Sequence, residues 1–549
     1  MRAGLSARRR PHHDGFRTMS EWEISADVVI IGGGLGGVAA ALTATSLGQT
    51  VILTEETDWL GGQMTSQAVP PDEHPWIETH SSPSYRVLRN RIRDYYRRAY
   101  PLKAAVASAP LLNPGLGFVS DLCHEPRVGV AAIEEMLAPA RASGLLTVLL
   151  NHAPAAVEMA ADNVVSVTVT GTDGDRVNIR APYFVDATEL GDLLELGQVE
   201  HVLGAESRED TGEPNAAAVA DPRNQQAPSW CFAIEHRPGE THTIDKPKRF
   251  EHWRDHQDAF WPGSQLSWTD LDPQTLEPRT RKIFDGDPAD DSQKDLWRYR
   301  RILAKKQFGP SFLGNDVSLV NWPQTDYWEE PLINNDPDAD AATRANAKEL
   351  SLSFLYWMQT EAPRHDDGHG YPGLRLRPDL MGTSDGLAKA IYVREARRIK
   401  AEFTVLEQHI GVDAADGRGS ALFHDTVGIG GYRIDLHPTA TGASYIDIAC
   451  HPFQIPLGSL LPQRVQNLIA ANKNIGTTHI TNGAYRLHPV EWSIGEAAGA
   501  LVSFCLNDGK RPSQVRSEGA SLAEFQRLLS SRLQIPLAWP DDVRKRNTR

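Results

Sequence analysis

The stretch that decides the fold is DVVIIGGGLGGVAAALTATSLGQTVILTEE, from Asp27 to Glu56. It opens with an apolar run (Val28 to Ile31), passes through a glycine cluster into an alanine-rich segment, and ends with a second apolar run (Thr50 to Leu53). Short apolar runs bounded by glycines predict buried strands, and the alanine-rich segment predicts a helix. Strand, helix and strand within about 30 residues predict a βαβ unit.

The glycine cluster indicates which kind of ligand this unit binds. Gly32, Gly34 and Gly37 form G-x-G-x-x-G between the first strand and the helix. In such a turn the first glycine permits the bend, the second lets the backbone approach a pyrophosphate, and the third lets helix and strand pack closely. Glu55 ends the second strand about 20 residues further on, where a carboxylate can accept hydrogen bonds from a ribose. The unit therefore predicts a site for NAD or FAD.

A second glycine pair follows in Trp59-Leu60-Gly61-Gly62-Gln63 and favours FAD, because it allows another close approach to an extended dinucleotide. With this pair the chain resembles the FAD-dependent oxidoreductases of the glutathione-reductase-like superfamily, which include the fumarate-reductase and succinate-dehydrogenase type flavoproteins. Residues Tyr183 to Glu189 resemble the strand-end DATG segment of that superfamily, and Arg486 to Gly499 resemble its C-terminal flavin-contacting loop and helix. The similarity extends over most of residues 25–506.

The resemblance implies FAD as the cofactor and assigns residues to it. The expected cofactor-binding residues are Gly32, Gly33, Gly34, Leu35, Gly36, Gly37, Glu55, Gly61, Gly62, Gln63, Ala187, Thr188, Pro489 and Gly495. It also implies that the helix starting near Pro489 points its N-terminus at the flavin pyrimidine edge, where it stabilises the anionic reduced ring. Glu189, Val490 and Glu496 depart from the family pattern, which has glycine, threonine and glutamine at these places.

We predict an α/β fold: a Rossmann-type, glutathione-reductase-like FAD-binding domain with an inserted α+β substrate domain. The expected parts are a flexible extension (1–24), the FAD-binding domain (25–204 and 456–510), a mainly substrate-binding cap (205–455) and a tail (511–549). The start of the cap is rich in proline, aspartate and tryptophan. Its tryptophans suit either a core or stacking on a substrate: Trp230, Trp253, Trp261, Trp268, Trp297, Trp322 and Trp328.

Patterns elsewhere predict further elements. Residues 86–98, with six arginines, predict a helix whose charged face is solvated. We expect other helices at 128–142, 346–360 and 385–407, a β-meander between 145 and 186, β-strands at 426–451, and a strand-loop-helix unit at 467–506.

Composition excludes several function classes. The 549 residues carry a formal net charge of -15, which repels the phosphates of nucleic acids. No apolar run reaches the roughly 18 to 20 residues that would span a bilayer, and the first 18 residues lack the apolar segment of a secretory signal. Met19 is an alternative start. The four cysteines lie far apart without CxxC or CxxH spacing, which predicts a cytoplasmic protein with neither a disulfide framework nor a zinc site.

The electron partners are only partly predictable. The sequence has no redox-active cysteine pair and no second Rossmann fingerprint, since Gly428-Ile429-Gly430-Gly431 leads into a strand-like run. We therefore expect a small-molecule substrate, with oxygen, a quinone or a carrier protein as the electron acceptor.

Histidine is the side chain best suited to take a substrate proton near neutral pH. His488 is the first choice because it lies in the expected flavin-contacting loop, although it also suits a structural hydrogen bond across that loop. His437 is the second, because Asp435 two residues earlier shares its face of a strand, and His451 is the third. Arg486 is expected to anchor an anionic substrate or flavin group, or to form a salt bridge.

One further pair is a weak signal. Cys123 next to His124 suggests a nucleophile, but the sequence locates no partner acid for it.

The predicted function is an FAD-dependent oxidoreductase that transfers hydride between a small molecule and flavin. The first alternative is a flavin monooxygenase reduced by NAD(P)H. The second is a protein in which FAD has no catalytic role and only stabilises the fold.

Overall fold

The structure, a computed structural model, describes residues 8–9, 21–334 and 336–548. The strands in these ranges are β1 (Arg8–Arg9), β2 (Glu21–Ser25), β3 (Val28–Ile31), β4 (Val51–Glu55), β5 (Leu146–Leu150), β6 (His152–Ala160), β7 (Asn163–Gly171), β8 (Arg176–Arg180), β9 (Tyr183–Asp186), β10 (His201–Val202), β11 (Phe232–His236), β12 (Thr269–Leu271), β13 (Pro278–Thr280), β14 (Arg301–Leu303), β15 (Val317–Val320), β16 (Leu374–Leu376), β17 (Arg398–Ile399), β18 (Thr426–Gly430), β19 (Ile434–Leu436), β20 (Ile446–Ile448), β21 (Phe453–Pro456) and β22 (Leu468–Ala470).

The α-helices in the same ranges are α1 (Leu35–Ser46), α2 (Pro83–Ala99), α3 (Ala104–Ala107), α4 (Pro126–Ala142), α5 (Asp192–Leu196), α6 (Arg208–Thr211), α7 (Phe250–Asp255), α8 (Leu296–Tyr299), α9 (Pro337–Thr360), α10 (Pro378–Met381), α11 (Glu407–Ile410), α12 (Val412–Ala415), α13 (His479–Tyr485), α14 (His488–Asp508), α15 (Pro512–Ser517), α16 (Gly519–Arg527) and α17 (Asp541–Arg544).

A five-stranded parallel sheet in the order β22-β9-β3-β4-β5 forms the centre of the fold. All four side chains of β3 are fully buried, as expected for a parallel strand covered on both faces. Helix α1 packs against α14, which follows β22 near the C-terminal end of the chain. The predicted βαβ unit and the Rossmann-type α/β class are confirmed, and the central sheet draws its strands from residues 28–186 and 468–470.

A second five-stranded sheet, β1-β2-β8-β7-β6, lies beside the first in sequence. Its strands β6, β7 and β8 are antiparallel neighbours. The meander predicted between 145 and 186 is therefore confirmed only for residues 152–180, because its first and last strands, β5 and β9, belong to the parallel central sheet. We did not predict β6 itself, because Pro154 and several alanines weaken its strand signal. The extension expected over 1–24 lies mostly outside the described residues, as does Met19, but Glu21–Ser25 at its end pairs in parallel with β8.

The middle of the chain contains a four-stranded antiparallel sheet, β14-β15-β11-β16, and the long helix α9. The helix predicted at 346–360 forms the C-terminal part of α9. The seven tryptophans singled out above are all buried, with exposures between 0 and 6%. They therefore form core, and the alternative of stacking on a substrate is not supported.

The prediction of a helix at 385–407 is wrong. This segment is an extended, mostly buried chain, and its backbone N–H groups bond to distant carbonyls instead of to the preceding turn. Ala388 donates to Cys231 at 2.8 Å, and Ala390 donates to Ser66 at 3.0 Å. The apolar side chains that suggested a helix are buried on two sides of one extended segment, a tertiary effect that overrides local propensity.

Helix α2 forms where its arginines predicted it, but the prediction of a solvated charged face is wrong for two of them. Arg89 and Arg93 are each 1% exposed and form ion pairs with Glu78; Arg89 also pairs with the buried Glu73. Arg98, in contrast, is exposed. Burial of long cationic side chains requires carboxylate partners, and these come from the loop before the helix, where sequence periodicity gives no signal.

Within the described ranges, no helix is both long and apolar enough to cross a lipid bilayer. The same residues contain no cluster of three or more histidine, cysteine or acidic side chains that could hold a metal ion. Cys123, Cys231, Cys450 and Cys505 are buried, free thiols.

Candidate active site

The glycine motif forms the turn between β3 and α1. Gly32 has a φ of 99°, a left-handed conformation that side chains disfavour. A Cβ on Gly32 would lie 2.2 Å from the carbonyl oxygen of Ala187, and a Cβ on Gly37 would lie 2.0 Å from that of Gly32. The first and third glycines therefore have the turn and packing roles predicted for them.

Gly34 differs from both. A Cβ there would meet only the side-chain ends of Glu189 and Glu491, each at 3.0 Å, and the amide of Asn472 at 3.4 Å. These ends are flexible, so the space beside Gly34 is limited by movable groups and not by backbone. This is the position at which the motif predicts close approach of a ligand.

The N-terminus of α1 donates a hydrogen bond to a carboxyl oxygen of the protein. The backbone N–H of Gly36 donates to the Glu491 carboxylate on α14 at 3.0 Å, and Gln63 donates to the other oxygen of that carboxylate. Burial raises the pKa of Glu491 to about 7, although Lys473 lowers it. The contact places an acceptor oxygen at the start of α1, the position at which helix N-termini bind anions.

A cavity of about 300 Å³ opens beside this turn. Its walls come from the glycine turn, the end of β4, the start of β6, the segment after β9, and the extended segment near residue 390. The wall residues include Gly32, Gly34, Thr54, Glu55, Glu56, Gln67, His152, Ala153, Pro154, Ala187, Thr188, Glu189, Arg344, Ile391 and Val393. We call this space the cofactor cavity.

Glu55 lies in the cavity wall at the end of β4, where the sequence placed a ribose acceptor. Its carboxylate accepts the N–H of Gly33 at 2.9 Å and the backbone N–H and hydroxyl of Thr57 at 3.0 and 2.8 Å. Burial, together with the charge of Glu56, raises the pKa of Glu55 to about 8. Further hydroxyl donors from a ribose would stabilise the ionised form of this carboxyl.

Among the described residues, the buried polar atoms in the wall of the cofactor cavity without a hydrogen-bond partner include Nε2 of Gln67 and Oε1 of Glu189. Buried polar atoms are rarely left unpaired, so each is suited to a ligand group. Together with the glycine turn, the α1 N-terminus and Glu55, they fit a dinucleotide with hydroxyl, amide and phosphate groups.

A second, smaller cavity of about 120 Å³ lies on the other side of the extended segment. From Ile391 onward the side chains alternate: Ile391 and Val393 line the cofactor cavity, whereas Tyr392 and Arg394 line the second one. The alternation follows from the extended backbone, in which successive side chains point to opposite sides. One stretch of chain is thus a shared wall between the two cavities.

Arginines and tyrosines dominate the second cavity, which we call the arginine pocket. The side chains that line it include Arg279, Arg281, Arg300, Arg394 and Arg486, Tyr299, Tyr392, Tyr432 and Tyr445, and the polar residues Asp72, Asp435, His437 and Asn321. They come from widely separated parts of the chain, and most belong to the stretch predicted as the substrate-binding cap.

His437 is held firmly in this pocket. Its Nδ1 lies 2.6 Å from the carboxylate of Asp326, which is fully buried and also forms an ion pair with Arg394 at 3.0 Å. A carboxylate only accepts hydrogen bonds, so Nδ1 carries the proton and Nε2 is left with a lone pair. Nε2 is 3.9 Å from Asp435, beyond hydrogen-bond distance, which agrees with the predicted shared face of these two residues.

His488 has a different environment. Its Nδ1 accepts the backbone N–H of Asp72 at 3.2 Å, and its Nε2 lies 3.1 Å from the carbonyl of Val69. Burial lowers the pKa of His488 to about 3. With both ring nitrogens bound to backbone, this side chain fixes the loop before α2 to the start of α14, which is the structural role that the sequence left open.

Arg486 lines the arginine pocket, and His451 and Cys123 do not. Arg486 donates to the hydroxyl of Tyr392 and to the carbonyl of Asp435, both at 3.0 Å. His451 is buried against the C-terminal tail, with Nδ1 2.9 Å from the carbonyl of Arg546. Burial raises the pKa of Cys123 to about 12, so it is not an activated nucleophile.

The sequence profile described as FAD dependent oxidoreductase matches residues 27–529. The chain belongs to this family. Its cofactor is therefore FAD, and its enzyme class is oxidoreductase.

Solved structures resemble the chain only distantly. L-proline dehydrogenase from P. horikoshii is 20% identical over 33% of this chain and 24% of its own, with a TM-score of 0.17. A geranylgeranyl bacteriochlorophyll reductase-like protein from Thermoplasma acidophilum is 11% identical (93% and 84% covered, TM-score 0.32). The anhydrotetracycline hydroxylase OxyS from Streptomyces rimosus is 12% identical (93% and 68%, TM-score 0.30). No curated protein matches the chain.

The residues predicted to bind FAD fall into two groups. Five of them line the cofactor cavity directly: Gly32, Gly34, Glu55, Ala187 and Thr188. The others pack around it: Gly61 donates its N–H to the carbonyl of Gly33 at 2.7 Å, and a Cβ on Gly495 would lie 2.1 Å from the carbonyl oxygen of Gly36. The remaining members of this second group are Leu35, Gly37, Gly62, Gln63 and Pro489.

Sequence reasoning missed several residues of both cavities. In the cofactor cavity these are Gln67, residues 152–154 at the start of β6, Arg344 and the shared wall. In the arginine pocket they include Arg300, Arg394 and Asp326. Gln67, Arg300, Asp326 and Arg344 lie outside any motif, so no local signal in one sequence could have identified them.

Proposed function

We propose that this FAD-dependent oxidoreductase acts on a small molecule in the arginine pocket, where His437 accepts or returns the substrate proton. Bound FAD supplies the hydride acceptor or donor. The observation that carries the proposal is the fixed, neutral imidazole of His437 in a pocket that shares a wall with the cofactor cavity.

The protonation state of His437 suits a general base. Burial lowers the pKa of His437, and Arg394 lowers it further, although Asp326 and Asp435 raise it. The net direction is downward from 6.5, so the ring is neutral at physiological pH. A neutral imidazole with Nε2 unbonded can take a proton from a substrate hydroxyl or amine.

Asp326 is a positioning residue in this proposal. Burial raises the pKa of Asp326, but Arg394 and His437 lower it more, and the carboxyl remains ionised. Its other oxygen receives the Ser229 hydroxyl. An ionised, fully bonded carboxylate fixes the tautomer of His437 and stabilises the imidazolium that forms when the ring takes a proton.

Enclosure is the second contribution of the chain. The arginine pocket is small, and its aromatic side chains leave little room for bulk water beside His437. Exclusion of water strengthens the electrostatic interactions within the pocket. Electrons then leave to oxygen, a quinone or a carrier protein, which completes the cycle.

The test is anaerobic bleaching of the flavin by panels of small hydroxy and amino compounds, compared in wild type and His437→Asn. We expect a compound that bleaches the wild type, and reduction about 10²- to 10⁴-fold slower in the variant with unchanged FAD content. His451→Asn, a buried histidine outside the pocket, is the matched control. An unaltered rate in His437→Asn would remove the proposed base, and rapid bleaching by NADPH would favour the monooxygenase alternative.

A further inference from the structure

We propose that the substrate of the arginine pocket carries an oxyanion, a carboxylate or a phosphate, and that Arg300 binds it. The proposal rests on the proposed function, because it concerns the substrate of the same site. It is drawn from the hydrogen-bonding state of each arginine in the pocket.

Four of the five arginines are already committed to protein groups. Arg279 and Arg281 both bind the buried carboxylate of Asp270. Arg394 binds Asp326, the carbonyl of Ala227 and the Ser229 hydroxyl. Arg486 binds Tyr392 and Asp435, as described above. These guanidinium groups shape the pocket, and most of their donors are in use.

Arg300 differs from the other four in degree. It is 9% exposed, yet neither its Nε nor its Nη1 has a hydrogen-bond partner among the described residues, whereas Arg394 and Arg486 each leave only Nε without one. Its guanidinium packs over the ring of Tyr299, 5.2 Å from the ring centroid. Burial of a charged donor without partners costs about 1–3 kcal/mol or more, and a ligand that accepts these hydrogen bonds would recover that energy.

The nearest countercharge is too far away to satisfy Arg300. The carboxylate of Asp72 lies 3.9 Å from Nη1, which is an ion pair without a hydrogen bond. Burial raises the pKa of Asp72, although Arg300 and Arg486 lower it. The two groups compensate each other's charge only in part, and Arg300 is left with directional donors for an oxyanion.

Tyrosine hydroxyls add neutral donors to the same pocket. The Tyr445 hydroxyl is buried without a partner, and its ring lies 5.5 Å from that of His437. Burial raises the pKa of Tyr445 and Tyr432 well above 10, so both hydroxyls keep their protons. An oxyanion on Arg300 would leave the rest of a small substrate near His437, where its proton is removed.

The size of the pocket restricts the substrate further. A cavity of about 120 Å³ is well below the roughly 300–1,000 Å³ typical of sites for drug-sized ligands. We therefore expect a small acid or a small phosphorylated compound.

The experiment is a titration of the FAD-loaded protein with sodium acetate and, separately, inorganic phosphate, at constant ionic strength kept with chloride. The flavin absorption bands and calorimetry report binding without turnover. We expect one or both anions to bind, and Arg300→Lys to bind them about 10-fold or more weakly because a lysine lacks the planar set of donors. Acetate binding alone identifies a carboxylate substrate, and phosphate binding alone a phosphorylated one.

Two further variants keep the test decisive if Arg300→Lys is unstable. Asp72→Asn removes the competing negative charge and should tighten anion binding several-fold, a gain that misfolding cannot produce. Arg433→Gln is the matched control, because Arg433 follows a pocket tyrosine but binds Asp447 outside the pocket. Its affinity should equal that of the wild type.

The outcomes separate this inference from the proposed function. Failure of acetate and phosphate to bind better than chloride, or equal affinities in wild type and Arg300→Lys, overturns the oxyanion proposal even if the flavin is reduced by a neutral compound. Arg300-dependent anion binding supports it even if His437→Asn proves fully active, in which case only the assignment of the base is lost.

Discussion

The cofactor cavity and the arginine pocket share one wall but differ in the kind of structure that forms them. The cofactor cavity is organised around local backbone geometry, a glycine turn and a strand-end carboxylate within Gly32–Glu55, and more distant stretches complete its walls. The arginine pocket has no such local motif and consists of long charged and aromatic side chains that meet from distant stretches of the chain. The difference indicates that a sequence motif can locate the first cavity but not the second.

The two glycines at the start of α1 provide the largest expected effect. A Cβ on Gly36 would lie 1.8 Å from the carbonyl oxygen of Ala471, so Gly36→Ala should unfold the protein or leave it insoluble. Gly34→Ala should fold and lose about 3 kcal/mol of FAD binding, roughly 100-fold, because its Cβ occupies the ligand approach. Thermal unfolding and FAD titration measure both.

Gly519→Ala is the control for these variants, since a Cβ there meets nothing within 4 Å. A stable, FAD-loaded Gly36→Ala protein would contradict the packing argument. Normal FAD affinity in Gly34→Ala would mean that the cofactor does not approach this turn.

The variant Asp326→Asn tests the arginine pocket without altering the cofactor cavity. An amide can present its N–H to His437 and stabilise the wrong tautomer, so we expect flavin reduction to slow about 100-fold or more while FAD affinity stays constant. Stopped-flow reduction and FAD titration separate the two. Asp447→Asn, which loses a carboxylate bound to Arg433 outside the pocket, should keep the wild-type rate.

Glu55, in the wall of the cofactor cavity, makes the free energy of unfolding of the protein depend on pH. Its pKa is raised by burial from 4.5 to about 8, so the folded protein binds more protons than the unfolded chain between these values. The free energy of unfolding of the FAD-free protein should therefore fall as pH rises through this window, by up to about 1.4 kcal/mol per pH unit from this group. Urea melts of wild type and Glu55→Gln measure the difference.

FAD loading should reduce that slope, since ribose hydroxyls favour the ionised carboxylate. Equal slopes in wild type and Glu55→Gln would show that Glu55 titrates normally in the folded state.

The shared wall gives the smallest and most selective prediction. Tyr392→Phe removes the hydroxyl that accepts from Arg486 and should weaken substrate or anion binding by about 1 kcal/mol, roughly 5-fold, with little change in FAD affinity. Val393→Ala, on the other face, should weaken FAD binding and spare the anion. If both variants change both affinities equally, the two faces do not act separately.

What the sequence could predict follows the same division. The turn, Glu55 and the parallel sheet were predictable because their signals lie within about 30 consecutive residues and rest on local backbone rules. The prediction of a helix at residues 385–407 failed because apolar spacing cannot distinguish a helix from an extended segment buried on two sides. Among the histidines, His488 occupies the better motif and His437 the better environment, and only Asp326, 111 residues away, distinguishes them.

The contact between Gly36 and Glu491 joins residues 455 positions apart in the chain. During synthesis, β3, β4 and α1 therefore leave the ribosome long before the strand and helix that complete their sheet. Strand β9 waits with one edge unpaired until β22 is made. We therefore expect the central sheet to be completed, and the cofactor cavity to reach its final form, only after β22 and α14 have been synthesised.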